Sequence, residues 1–138
     1  MEKYQNLSQF KKEMRRFFNE YKRKLGINPS WKITIEIKQI RDTWAEVEWD
    51  YPRRRFWVFI NDKKNATPKE LKDSIIHELI HVLLIPYTHK AEEIARQMCA
   101  DRGHDSKTLL KVLDNREEAL VRKLTVVIMG LDKGEPCE

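Results

Sequence analysis

Apolar residues recur along the first 25 positions at steps of three and four: Leu7, Phe10, Met14, Phe17, Phe18, Tyr21 and Leu25, with lysines and arginines between them. That period predicts an amphipathic first helix whose aromatic stripe belongs to the core, and Gly26 is placed to end it. The period then changes to two. In Trp31–Lys38, Ile33, Ile35 and Ile37 alternate with Lys32, Thr34, Glu36 and Lys38, the pattern of a half-buried strand. Ala45, Val47, Trp49 and Tyr51 alternate with polar or acidic residues in a second strand, Pro52-Arg53 makes a turn, and Arg54–Ile60 forms a third strand. Short connections between the three predict an antiparallel meander.

Asn61–Ala66 has the composition of a loop, and Thr67-Pro68-Lys69-Glu70 follows as a helix start: threonine at the N-cap, proline in the first turn, glutamate three residues on. The helix is expected to run from Pro68 to about Ile85 and to end at Pro86, because proline disfavours helical geometry in the residue before it. Beyond it the pattern is helical around Lys90 to Asp101, breaks at Gly103, and resumes as one or two helices from about Ser106 to Met129. Helix, three-stranded antiparallel sheet, then helices makes an α+β fold, expected to form one domain over residues 1–138.

The Pro68 helix carries the most specific chemistry in the chain. His77, Glu78 and His81 spell H-E-x-x-H within an apolar run. Residues four apart share a helical face, so both imidazoles can reach one metal ion while Glu78 sits beside its open position as a candidate general base. A catalytic zinc site requires a third ligand. The candidates downstream are Glu117, Glu118, His104 and His89, with Glu92, Glu93 and Asp101 less suited. In the last helix Leu120, Val121, Leu124, Val127, Ile128 and Leu131 form a stripe with Glu117 in its middle and Glu118 to one side. A carboxylate on a buried face needs a partner, which favours Glu117 as the ligand. With one zinc per chain held by His77, His81 and Glu117, Glu78 would take a proton from water, the arrangement for hydrolysis of a peptide bond. Asp73 is a candidate to orient the ring of His77 and Tyr87 a candidate oxyanion donor, though a surface role suits Tyr87 better.

Charge and cysteines narrow the partners. A net charge of +5 with 36% charged residues describes a densely charged, soluble surface. Its cations cluster at Lys11, Lys12, Arg15, Arg16 and Lys22 to Lys24, and again at Arg53 to Arg55, which leaves nucleic acid open as a partner. No stretch has the length of a membrane span and the first residues lack a signal-peptide core, so the expected location is cytoplasmic with no membrane partner. Cys99 and Cys137 show no framework spacing and are expected to be unpaired thiols rather than zinc ligands.

Taken together, the basic first helix, the strands Trp31 to Ile60, the helix Ile75-Ile-His-Glu-Leu-Ile-His81 and Glu117-Glu-Ala-Leu-Val-Arg-Lys-Leu124 make the chain resemble the zincin metallopeptidases. The resemblance is greatest to the small single-domain, gluzincin-like members found in phage and bacteria. It implies a glutamate third ligand, Glu117 or Glu118, and a peptide substrate bound antiparallel along the strand before the active-site helix, Phe56 to Ile60. Asp101-Arg-Gly-His104 also resembles the third-ligand region of the SprT-like proteases, which act on DNA-attached proteins; that likeness implies His104 as the ligand. A third expectation is a zincin-fold regulator that keeps its metal without turnover.

Overall fold

Alternation in the first two strands and an unbroken apolar run in the third already separate a central strand from its flanks. The computed structural model, which describes residues 3–132, has the order α1 (Leu7–Lys24), β1 (Lys32–Ile37), β2 (Ala45–Asp50), β3 (Arg55–Ile60), α2 (Pro68–Asp101) and α3 (Lys107–Asp132). The chain divides within α2 into two compact units, Met1–Leu83 and Leu84–Glu138.

In the first unit, α1 starts where the side chain of Asn6 accepts the N–H of Gln9 and buries Phe10, Met14, Phe17, Phe18 and Tyr21, the stripe expected from its period. Lys22, Arg23 and Lys24 lie in its last turn, where cations complement the helix dipole. Gly26 follows at φ +68°, a left-handed conformation that glycine adopts without Cβ strain.

The sheet is mixed, in the order β1-β3-β2. β2 and β3 form the expected antiparallel hairpin, with Ala45 opposite Ile60 and Asp50 opposite Arg55. β1, however, runs parallel to β3, Lys32 opposite Arg55 and Ile37 opposite Ile60, so the meander is not formed. The cause is the Lys38–Trp44 connection, which crosses the end of β3 instead of turning back beside β1. Lys38 N–H donates to Ile60 O at 3.0 Å and Asn61 N–H to Trp44 O at 3.0 Å. The Asn61 amide also donates to Ile40 O (2.9 Å) and Thr43 O (3.2 Å), pinning the crossing. Lys38 completes the strap, its ammonium 4.7 Å from the Phe59 ring centroid and 3.1 Å from Glu46 on β2. The hydrogen bond to Glu46 raises the pKa of Lys38 above its ordinary value.

Central placement explains why Phe56, Val58 and Ile60 are fully buried while Trp57 and Phe59 on the opposite face are half-buried. Trp31 stacks on Phe56, ring centroids 4.9 Å apart. It also corrects the expectation that Phe56 to Ile60 form an edge for peptide binding, because both hydrogen-bonding sides of β3 are taken. The open edges among the described residues are those of β1 and β2.

α2 opens with the capping box read from the sequence: Glu70 N–H donates to Thr67 Oγ1 (3.3 Å) while the Glu70 carboxylate accepts from Thr67 N–H (3.2 Å) and Oγ1 (2.8 Å). Ser74, on the next turn, donates to the buried Asn65 side chain, whose amide donates in turn to Trp44 O and Asn61 O. This network ties α2 to the sheet crossing and satisfies polar atoms that would be costly to bury alone.

Contrary to expectation, α2 does not end before Pro86 but continues through it to Asp101. Proline at that position forfeits one hydrogen bond, from residue 86 to the carbonyl of Val82. Helical hydrogen bonds on either side outweigh one lost bond. In the second unit α2 terminates at Gly103, φ +70°, where His104 N–H donates to Cys99 O at 2.8 Å. Asp105 accepts the N–H of Lys107, and α3 follows as one helix that buries Val121 and Thr125. Cys99 is a half-buried free thiol, and Cys137 lies outside the described residues. No helix among those residues is long and apolar enough to cross a membrane.

Candidate metal centre

The turns of α2 around the H-E-x-x-H sequence are buried nearly all round. Leu71, Ile75, Ile76, Leu79, Ile80 and Val82 are at most 1% exposed, so the polar side chains among them are held in a rigid apolar wall. His77 and His81 occupy the one half-buried strip, their ring centroids 5.1 Å apart and their planes at 65°. At about 100° per residue Glu78 stands about 60° around the helix from His81, and the residue is 7% exposed.

The third member of the cluster is Glu118. One ligand atom from each of His77, His81 and Glu118 lies within 4.8 Å of the other two. Tetrahedral coordination at about 2.1 Å would set such atoms about 3.4 Å apart. Two imidazoles and a carboxylate form a donor set for a borderline divalent cation. This His–His–Glu cluster can hold a metal ion. Glu118 also faces Arg122 at 3.5 Å.

Glu117, favoured by the sequence pattern, is not in the cluster. It accepts a hydrogen bond from the Thr88 hydroxyl. The difference follows from which α3 residues are covered. Leu120, Val127 and Leu131, counted in the apolar stripe, are 47%, 45% and 51% exposed, whereas the buried positions are Val121 and Thr125. Centred on those two, the inner face lies about 40° from Glu118 and about 60° from Glu117. Thr125 was the missed signal: its hydroxyl donates to Val121 O at 2.7 Å, which lets a polar residue sit in the core.

The remaining candidates lie elsewhere. His104 is exposed just beyond the end of α2. His89 faces Glu93 at 3.2 Å, Glu92 faces Arg96 at 3.8 Å, and Asp101 accepts from Gln97. Asp73 is exposed, and Tyr87 is 74% exposed, as expected of a surface residue.

Fold and cluster define the class: an α+β protein of three helices and a small mixed sheet, with a helix-borne His–His–Glu cluster suited to a divalent cation. Comparison with protein families, curated proteins and solved structures returns no match to this chain.

Proposed function

We propose that the protein is a zinc metallopeptidase, with His77, His81 and Glu118 as metal ligands and Glu78 as general base. The observation that carries this reading is the grouping of Glu118 with the two histidines of an H-E-x-x-H helix, three donors of the kind that would hold a catalytic zinc. A zinc ion held there would supply a Lewis acid, lowering the pKa of water towards 7 and polarising a substrate carbonyl. Glu78 accepts the proton of the attacking water and passes it to the departing amine. Its burial fixes the carboxylate beside the metal-ligand face of α2 and keeps bulk water away from it. The buried turns of α2 hold rigid the backbone from which Glu78 and the two imidazoles project. A substrate that extends the sheet would pair with β1 or β2, since β3 has no open side.

The test is cleavage of a denatured protein. Chelator-treated protein is expected to be inactive and to regain activity on addition of one equivalent of zinc. Stoichiometric zinc uptake without cleavage would favour the alternative of a metal-holding regulator. The SprT-like alternative draws no support from His104, which stands outside the cluster.

A further inference from the structure

The cations of α1 are not equivalent. Arg16 is held by Glu13 at 2.5 Å, Lys24 faces Glu20 at 3.4 Å, and Lys22 lies over the Phe18 ring. Lys11, Lys12 and Arg15 have no acidic partner among the described residues, and together with Leu7 and Ser8 they line a hollow of about 660 Å³ along the first half of the helix. The second basic run of the chain is largely engaged: Arg53 faces Asp50 at 3.3 Å and Arg54 lies over the Tyr51 ring. In the first half of α1 these three unpaired cations thus lie on one side of the helix.

We infer that this face of α1 binds the sugar–phosphate backbone of nucleic acid, without sequence preference. Lys11 and Arg15 are one turn apart, about 6 Å along the axis, with Lys12 beside them, a linear array suited to successive phosphates. The Ser8 hydroxyl adds a neutral donor, and no acidic residue occupies the first turn to repel an anion. A membrane surface fits less well. The apolar face that would enter lipid, Phe10, Met14, Phe17, Phe18 and Tyr21, is at most 6% exposed, and three cations fall short of the about four to eight of a polybasic lipid site. A protein partner would require apolar anchors, and Leu7 is the one large apolar side chain in the hollow.

The inference rests on the first unit alone and is independent of the metal reading. The experiment is fluorescence anisotropy of a mixed-sequence 20-base-pair duplex, about two helical turns, with the full chain and two triple variants. Three phosphate contacts predict that wild-type affinity falls about 40-fold between 50 and 200 mM salt. Lys11→Ala/Lys12→Ala/Arg15→Ala is expected to weaken binding about tenfold or more at 50 mM salt and to flatten the salt dependence. Arg16→Ala/Lys24→Ala/Lys38→Ala removes the same charge from paired sites and is expected to bind like wild type. Alanine favours helix at the exposed α1 positions, and circular dichroism and urea unfolding check that both variants, Lys38→Ala included, are folded before binding is compared. Equal losses in the two variants would reduce the effect to net charge and overturn the inference. So would tighter binding to phosphatidylserine vesicles or to polyglutamate than to the duplex.

Discussion

Replacing Glu78 by glutamine is expected to lower kcat/KM on a denatured protein by about 10²–10⁴-fold while leaving zinc content unchanged. Glutamine matches the shape of the buried side chain but cannot accept a proton from water. His77, His81 and Glu118 are untouched, so metal analysis should still find one ion per chain. Wild-type turnover in this variant would remove Glu78 from the reaction. Loss of zinc together with activity would instead make Glu78 a support of the metal centre.

The second large effect is on stability. Phe56→Ala is expected to cost about 3–5 kcal/mol, because it opens a cavity at a fully buried position of the central strand. It also removes the stack with Trp31, worth about 0.5–1.5 kcal/mol by itself. Trp49, opposite Phe56 on β2, is 46% exposed, so Trp49→Ala should cost well under half as much despite the larger side chain. Urea unfolding of the two variants measures the difference. A cost below about 1 kcal/mol for Phe56→Ala would contradict the central position of β3.

That position was written in the sequence, in a form that connection length obscured. Lys32–Ile37 and Ala45–Asp50 alternate, as strands with one solvated face do, whereas Phe56-Trp-Val-Phe-Ile60 is apolar without interruption, as a strand covered on both faces must be. Strand order could not be read from loop lengths, because the Lys38–Trp44 crossing depends on hydrogen bonds from Asn61 that no local pattern announces. Local signals with a complete short-range mechanism were legible: the Thr67 cap, the glycines that end α1 and α2, and the stripe of α1. Pro86 shows the limit of such signals, since a long helix outweighed a single proline.

The candidate site divides along the same line. His77, Glu78 and His81 follow from a five-residue pattern and one helical geometry. The third donor depends on which side of α3 is covered, a tertiary matter, and adjacent glutamates differ by only about 100°. Exposed leucines and valines drew the apparent stripe towards Glu117, while Thr125, a core residue of polar type, was the counterweight.

Zinc titration of Glu118→Ala beside Glu117→Ala tests the central claim most directly. A missing ligand should weaken zinc affinity by at least the about 10–100-fold typical of losing an outer-shell partner. The account predicts that loss in Glu118→Ala, with Glu117→Ala staying close to wild type. Unchanged affinity in Glu118→Ala, or the large loss appearing in Glu117→Ala instead, would contradict it.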